Sequence, residues 1–421
     1  MSAAPPAPSS RFCPNCGLPL SEEANFCPHC GRNVGYGAAY FAPPPPQTGG
    51  SFDNTIRSIG VAVGAYASLA MIVLLVIDVG VLIWGMSVVL PIAADPTHGT
   101  LLYLILPVPH PIVGIVNANG VWFGVYFILV VAGIVASVAW TFYRSAKPLW
   151  KELSIEKPKD GHSPIYSITT LFMAVMTVNL VYVFLVFLFN VQTSTPDFGT
   201  RELWQLLFAF ANAAVWEELV MRVLWLGVPL LIIALLTKRA KNYKQYFFGG
   251  GGTFGTWEAV FIFISAGLFA YGHTEYWDAF KIIPTFASGI AFGYLFIRYG
   301  LYACVVLHFA VDYYDMLGTS LNSLSIQVIS GLALIVFGIV GIPYLLAYTR
   351  RIVLFLTSGD LKPKATPSAA SKGFQAASAP PTVPNPFPYR PGTFFTCARC
   401  GNHEASLRDG QWECARCGFK Q

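Results

Sequence analysis

Long apolar runs alternate with short polar segments through the middle of the chain. The runs lie at about 57–91, 119–143, 164–190, 202–237, 257–273, 281–298, 301–317 and 325–349. A helix that crosses the hydrocarbon core of a bilayer needs roughly 20 mainly apolar residues, because every backbone N–H and C=O must be hydrogen-bonded within the segment there. The pattern therefore predicts an all-α polytopic membrane protein with about eight transmembrane helices, for which the lipid bilayer is the main partner.

The composition and the placement of charge agree with a membrane protein. Of the 421 residues, 55% are hydrophobic and 11% are charged, whereas roughly a quarter of the residues in soluble domains are charged. Lys and Arg collect in the segments 144–159, 238–244 and 350–351, while 93–120 and 317–324 contain neither. Because short loops rich in Lys and Arg stay in the cytoplasm, an even number of spans places both termini there, in an integral protein of the cell membrane. This topology accounts for the net charge of +5, and no nucleic-acid partner is expected.

Composition also divides the chain into five parts. Residues 1–33 hold a cysteine module, and residues 34–55 form a linker rich in Pro and Gly that cannot pack a core. The transmembrane helical domain is expected at 56–350. Residues 351–392 are rich in Pro, Ala and Ser and are expected to be a disordered linker, and residues 393–421 hold a second cysteine module.

The two cysteine modules have the spacing of zinc ribbons. Eight of the nine cysteines form four Cys-x-x-Cys pairs, which are Cys13, Cys16, Cys27 and Cys30 at one end and Cys397, Cys400, Cys414 and Cys417 at the other. Four thiolates complete the tetrahedral shell of Zn²⁺, and the Gly after the second cysteine of each pair permits a tight turn. Modules this small need a metal to fold, so the sequence predicts one structural zinc in each. A redox dithiol would more typically be a single Cys-x-x-Cys near a βαβ pattern, which neither end shows.

Charged residues inside the apolar runs are the first candidates for function, because a charge at mid-bilayer costs a few kcal/mol or more. The fourth run contains Glu217, Glu218 and Arg222. Glu218 and Arg222 are four residues apart, so they lie on one helical face and are predicted to pair, either to support a site or only to hold helices together. Glu217 is rotated by about 100° from Glu218 and lacks that counter-ion, which suits a general base.

Two histidines lie in other apolar runs. His273 follows Phe269 by one helical turn, and Asp312 follows His308 by one turn. A single intramembrane histidine is often only a partner in an interhelical hydrogen bond. Together with Glu217, however, these side chains on three separate helices form a set of groups able to hold and activate a water molecule.

The three motifs, in this order, resemble those of the CPBP (Abi) family. Glu-Glu-x-x-x-Arg, Phe-x-x-x-His and His-x-x-x-Asn/Asp on successive membrane helices are similar to the motifs of its type II CAAX prenyl endopeptidases and its bacteriocin-processing or self-immunity proteins. The likeness covers about 165–320 and leaves the first two helices, the linkers and the ribbons outside. Each motif alone is weak, whereas the ordered set in a membrane context is specific.

The resemblance implies hydrolysis of peptide bonds within the membrane. By this resemblance, Glu217 would activate the water and His273 would help to position it. His308 and the residue four positions later would stabilise the oxyanion. Glu218 and Arg222 would fix the helix that carries the base.

One residue departs from the pattern of the CAAX-processing members, which usually have Asn at the last motif position. Ionised Asp312 only accepts hydrogen bonds, so it is expected to orient His308 rather than to bind an oxyanion. This departure weakens the expectation of a CAAX substrate more than that of hydrolysis. The sequence does not decide whether the site binds a metal. Glu217, His273 and His308 could ligate a catalytic Zn²⁺ as a His₂Glu set, but Glu217 would then not be free as the base.

Three functions use these residues differently. The resemblance favours a metallo- or glutamate-dependent endopeptidase that acts on membrane-bound or lipidated peptides, including prenylated CAAX-type substrates. In a non-catalytic membrane scaffold, the same motifs would only hold the bundle together while the ribbons recruit cytoplasmic protein partners. A metal-ion or proton transporter would use the buried acids and histidines, but the sequence shows no inverted repeat or pair of broken helices.

Overall fold

The chain forms two compact units in a computed structural model, residues 1–361 and residues 362–421. The structure describes residues 11–13, 18–20, 27, 29, 49–154, 162–238, 240, 242–314, 316–358, 405–408 and 411–414. The first unit contains the helical domain with the candidate site. In the second unit, the described residues form one antiparallel hairpin.

The helices of the first unit follow the predicted apolar runs. In chain order, the elements are β1 (Arg11–Phe12), β2 (Pro19–Leu20), α1 (Gly49–Ala93), β3 (Gly99–Ile105), β4 (Ile112–Asn119), α2 (Val121–Leu153), α3 (Pro164–Leu188), α4 (Leu203–Glu218), α5 (Val228–Leu236), α6 (Lys244–Phe248), α7 (Thr256–Trp277), α8 (Ile282–Arg298), α9 (Leu301–Tyr313), α10 (Met316–Ser320), α11 (Leu324–Val340), α12 (Ile342–Ser358), β5 (Ala405–Arg408) and β6 (Gln411–Cys414). Buried apolar side chains from α1 to α9 pack into one core. The predicted helical, polytopic membrane architecture is confirmed.

Fewer helices have the dimensions of a membrane span than the eight predicted. Within the described residues, five helices are long and apolar enough to cross a bilayer, and six if α11 and α12, which meet at a bend of 46°, form one span. α7, which carries Glu258, His273 and Glu275, is not among them. α9 has 13 residues, and its length of about 20 Å falls short of a bilayer core of about 30 Å. The two candidate histidines therefore lie on helices that are shorter or more polar than a full span.

The fourth predicted run is not one uninterrupted α-helix. Between α4 and α5, the residues Leu219–Gly227 form a π-helical segment that starts directly after Glu218. Such segments interrupt the regular α-helical register and are frequent at functional sites. Gly227 lies against the backbone of Tyr246, and a Cβ at this position would overlap the Tyr246 carbonyl oxygen. A glycine is therefore required where the π segment joins α5.

The loop between α1 and α2 contains a β-hairpin that the sequence analysis did not predict. β3 pairs antiparallel with β4. Two indole N–H groups bind β3, since Trp216 Nε1 donates to Tyr103 O at 2.8 Å and Trp225 Nε1 donates to Ile105 O at 2.8 Å. These bonds fix the hairpin against the helix that carries Glu217.

A glycine pair brings α7 close to α8. A Cβ at Gly289 would lie 2.8 Å from the Cα of Ala266, and a Cβ at Gly293 would lie 2.9 Å from the Ile262 side chain. Two glycines at this four-residue spacing permit close helix packing in membranes. The close approach places the helix of His273 directly beside α8.

The N-terminal module brings one cysteine of each predicted pair together. β1 pairs with β2, and Cys13 N donates to Leu18 O at 2.8 Å in the turn between them. Cys13 and Cys27, one from each pair, are both buried and pack with Leu20 in one cluster. This arrangement suits a shared zinc ion. Cys16 and Cys30 lie outside the described residues.

Most of the second module also lies outside the described residues, including Cys397, Cys400 and Cys417. β5 pairs with β6, and Cys414 is the last residue of β6. Most of the two predicted linkers, 34–55 and 351–392, also lies outside the described residues. Only 49–55 of the first and 351–358 of the second are described.

Candidate active site

A fully buried ion pair lies beneath the candidate site. Arg222 Nε donates to Glu218 Oε2 at 2.9 Å, and both side chains are 0% exposed. Arg222 Nη1 donates to Ser265 Oγ on α7 at 2.6 Å. The guanidinium also lies over the rings of Phe269 and Phe292, with Cζ 5.5 and 5.4 Å from their centroids. The predicted pairing is present, and it ties the fourth run to α7 and α8.

His308 connects this ion pair to the site. Its Nδ1 lies 2.9 Å from Glu218 Oε1, and its Nε2 lies 3.3 Å from Asp312 Oδ2. The imidazole stacks on Phe292, with ring centroids 4.9 Å apart and an angle of 19° between the planes. Because ionised carboxylates only accept hydrogen bonds, the protonated imidazole donates on both sides. The ring is thus held in position by two carboxylates and one aromatic face.

Glu217 points away from the ion pair. Its Oε1 accepts a hydrogen bond from Tyr103 Oη at 3.0 Å. Its Oε2 is buried and has no hydrogen-bond partner among the described residues. This oxygen lies 3.8 Å from His308 Nε2 and 4.0 Å from His273 Nε2, which is longer than a hydrogen bond. Three polar atoms therefore converge on one small space without bonding each other directly.

A hydrogen bond to the backbone fixes the tautomer of His273. His273 Nδ1 lies 2.8 Å from Phe269 O. A carbonyl oxygen only accepts, so Nδ1 carries the hydrogen and Nε2 presents a lone pair to the site. The sequence placed His273 at the end of the fifth run, whereas α7 continues by one turn to Trp277. His273 and His308 nevertheless reach the same point, since their Nε2 atoms lie 4.0 and 3.8 Å from Glu217 Oε2.

Tyr103 was missed by the sequence analysis. Burial, followed by the nearby Glu217 carboxylate, raises the pKa of Tyr103 well above its usual value. The phenol therefore remains protonated at neutral pH and donates to Glu217. The available signal was weak: aliphatic residues on both sides of the Pro-rich segment 107–111, with Gly120 closing the second run, are consistent with two strands and a turn.

The convergent groups line a cavity of about 460 Å³. This volume is within the range of roughly 300–1,000 Å³ found for small-molecule sites. Glu217, His273, His308 and Asp312 line the cavity together with Tyr103. Glu218 and Arg222 are not part of its wall. The structure thus separates the predicted residues into four that face the cavity and two that hold them from behind.

No metal-site geometry is formed by groups of three or more His, Cys, Asp and Glu side chains within the described part of the chain. The set considered for a catalytic Zn²⁺ lies around Glu217 Oε2, with the two histidine Nε2 atoms at the distances given above.

Two segments of the chain match known protein families. Residues 199–314 match the family of Rce1-like type II CAAX prenyl endopeptidases. Residues 12–34 match a zinc-ribbon domain. No curated protein and no solved structure matches the chain. The first segment includes every cavity-lining residue predicted from the sequence, and the second includes all four cysteines of the N-terminal module.

Proposed function

We propose that this chain is an intramembrane endopeptidase with Glu217 as its general base, because residues 199–314 match the Rce1-like family of type II CAAX prenyl endopeptidases. The family supplies the class of activity, and the geometry supports the assignment of the base. The observation that carries this assignment is Glu217 Oε2, a buried carboxylate oxygen that has no hydrogen-bond partner among the described residues and is faced by the Nε2 atoms of His273 and His308.

The proposed reaction begins with water between these three atoms. Glu217 Oε2 takes a proton from the water while the water oxygen attacks the scissile carbonyl carbon. His273 Nε2 accepts the second hydrogen of the water and so orients the attacking lone pair. The C–N bond then breaks, and the proton on Glu217 passes to the leaving amine, which regenerates the carboxylate.

The neighbouring residues prepare Glu217 and His308 for these steps. Tyr103 occupies Glu217 Oε1, so the other oxygen remains available as the base. Asp312 and Glu218 hold the His308 ring by its two nitrogens. The Nε2–H of His308 lies at the cavity wall, where the hydrogen that bonds Asp312 in the free protein can be shared with the oxyanion that forms on the carbonyl oxygen. Asp312 serves in this scheme to orient His308.

We propose that the substrate is a membrane-associated peptide and, more specifically, a lipidated or prenylated one. Both proposals follow from the family. The prenylated substrate has less support, because Asp312 stands where the CAAX-processing members usually have Asn. The ribbons are proposed to bind zinc structurally and to contact a cytoplasmic partner.

The test uses the full chain, purified and reconstituted into liposomes. It is incubated with peptides that are identical except for a prenylated cysteine, and the products are separated by chromatography. The proposal predicts cleavage of at least the membrane-bound peptide by the wild-type protein. A scaffold predicts no cleavage of either peptide by a folded wild-type protein, or cleavage that Glu217→Gln leaves unchanged.

Tyr103→Phe is expected to lower the rate of peptide hydrolysis about 10-fold to 100-fold, because a hydrogen bond to a charged group contributes about 1.5–3 kcal/mol. The loss should appear in kcat, with KM and melting temperature nearly unchanged. Tyr276→Phe is the matched control, since Tyr276 also lines the cavity without a hydrogen bond to Glu217 among the described residues. Equal rates for Tyr103→Phe and the wild type would contradict the role given to the hairpin.

A chelator is expected to release structural zinc without stopping hydrolysis. Zinc release can be followed with a colorimetric indicator, and cleavage can be measured in the same sample. Since ribbons of this size depend on metal to fold, the terminal modules should lose protection from proteolysis. Histidines that donate through Nδ1 are also common as zinc ligands, so a loss of cleavage that is restored by added Zn²⁺ would replace the glutamate mechanism with a metal-dependent one.

A further inference from the structure

The loops at one end of the helical domain contact each other around the cavity. Tyr271 Oη donates to Val108 O at 2.8 Å, which joins the end of α7 to the hairpin. Ser194 N donates to Asp278 Oδ2 at 2.6 Å, which joins the segment before α4 to the turn after α7. We call this the hairpin end, and it consists of residues 94–120, 189–202 and 274–281.

The opposite end is formed by the other connections. Tyr299 Oη, between α8 and α9, donates to His162 O before α3 at 2.9 Å. Gly251 N, in the segment before α7, donates to Arg298 O at 3.2 Å. The described residues at this end include seven cations, which are Arg144, Lys147, Lys151, Lys238, Lys244, Arg350 and Arg351.

The hairpin end, by contrast, contains only Arg201 and Lys281 as basic residues. Since Lys and Arg are concentrated in the cytoplasmic loops of membrane proteins, this contrast places the hairpin end outside the cytoplasm. Both of its basic residues line the cavity that holds Glu217. The two basic residues of an end that otherwise contains no Lys or Arg therefore both lie in the cavity wall.

The two cations belong to one continuous row with two aromatic rings. Lys281 Nζ lies 3.9 Å from the ring centroid of Trp277. Trp277 contacts Phe198, with ring centroids 5.5 Å apart. Arg201 Cζ lies 5.7 Å from the ring centroid of Phe198. The aromatic faces support both cations electrostatically and leave their N–H groups available to a further partner.

No carboxylate of the described residues forms an ion pair with either cation within 4.0 Å. Lys281 interacts over a longer distance with Asp312 and Glu217, and Arg201 is exposed at the rim. Two cations at the opening of a cavity with low-dielectric walls attract anions into it. Their planar and point-like donors are also the groups that bind carboxylates most strongly in proteins.

We propose that Arg201 and Lys281 bind a carboxylate of the peptide substrate, which enters the cavity from the extracytoplasmic side. The inference rests on the proposed function, because the carboxylate is that of the peptide hydrolysed at Glu217. The substrate class is therefore a membrane-associated peptide that presents an acidic group outside the cytoplasm. The carboxylate can be the C-terminus or an Asp or Glu side chain, since both have the same charge and acceptor geometry.

Peptide binding tests the pair without requiring cleavage. Glu217→Gln protein in nanodiscs is titrated with three tritiated, N-acetylated peptides of alternating Leu and Ala: one with a free C-terminus, one amidated, and one amidated with a single Asp. We expect the peptide with the recognised carboxylate to bind best. Adding Arg201→Met and Lys281→Met should weaken its binding about tenfold to a hundredfold and leave the neutral peptide unchanged.

The matched control removes two cations from the other end, with Lys244→Met and Arg350→Met, and should leave all three affinities unchanged. The free C-terminus or the Asp peptide identifies the source of the carboxylate. Equal affinities of the neutral and acidic peptides, or no effect of removing Arg201 and Lys281, would overturn the inference. Because no cleavage is measured, these results are independent of whether the wild-type protein hydrolyses any peptide.

Cysteine labelling tests the side of entry. Thr200→Cys lies next to Arg201, and Ser154→Cys lies at the opposite end; both positions are exposed. A membrane-impermeant maleimide added to intact cells should label Thr200→Cys, and it should label Ser154→Cys only after permeabilisation. The reverse pattern would place the opening of the cavity in the cytoplasm and overturn the proposed direction of entry.

Discussion

Arg222→Met is expected to lower the free energy of unfolding by about 3–5 kcal/mol, because the buried charge of Glu218 loses the guanidinium and keeps only the His308 imidazole as a partner. Both side chains of the pair are 0% exposed, so water cannot replace the guanidinium. The variant also loses the donor to Ser265 Oγ and the contacts with Phe269 and Phe292. Unfolding in mixed micelles with increasing denaturing detergent measures the change.

Two further variants separate the buried charge from lost packing. Arg350→Met removes an exposed arginine and should change the stability by less than about 0.5 kcal/mol. Combining Arg222→Met with Glu218→Gln removes both charges and should recover part of the lost stability. Stability of Arg222→Met equal to that of the wild type would contradict the central position given to this ion pair.

Glu217→Gln is expected to lower the rate of peptide hydrolysis by about 10²–10⁴, which is the contribution of a general base. The substitution keeps the shape of the side chain and an amide oxygen that accepts from Tyr103, but the amide takes no proton from water at neutral pH. The loss should appear in kcat. A single-turnover assay in liposomes measures the chemical step without product release.

The control for this substitution is Glu258→Gln, which lies outside the cavity lining. Glu258 Oε2 accepts from Gly255 N at 2.9 Å at the start of α7, and glutamine can make the same bond. Glu258→Gln should therefore retain the wild-type rate. Melting temperatures of both variants close to that of the wild type would show that folding is not the cause, whereas an unchanged rate for Glu217→Gln would remove it from the role of base.

The parts of the site that could be predicted from the sequence are those within one helix. Glu218 and Arg222, like His308 and Asp312, are separated by one helical turn, so their proximity follows from helix geometry alone. The different directions of Glu217 and Glu218 follow from the same geometry. The N-terminal zinc ribbon was predictable because its cysteine spacing reports a coordination shell.

Contacts between helices could not be derived in this way. His308 Nδ1 meets Glu218 across 90 positions in the chain, and no periodicity specifies which helices are neighbours. The resemblance of the motifs to a known family predicted that these residues share one site, but it did not give the distances between them. Tyr103 lies outside the motifs, in a hairpin whose first strand is held by Trp216 and Trp225. Sequence patterns report such tertiary contacts only weakly.

Among the described residues, fewer than eight helices have the dimensions of a span, for a related reason. Apolar content marks a buried segment, but a segment buried within a bundle and a segment facing lipid have similar composition. α9 is apolar because most of its side chains are covered by other helices, and its short length was visible only when its ends at Leu301 and Tyr313 were known.

Hydrolysis in water enriched in heavy oxygen tests the central claim most directly. The wild-type protein and Glu217→Gln are reconstituted in liposomes with a membrane-bound peptide, and the products are identified by mass spectrometry. We expect the wild-type protein to yield two fragments, with one heavy oxygen atom in the new C-terminal carboxylate, and the folded variant to yield almost none. Fragments formed equally by both proteins, or no fragments from any membrane-bound peptide presented on either side of the bilayer, would contradict intramembrane proteolysis by Glu217.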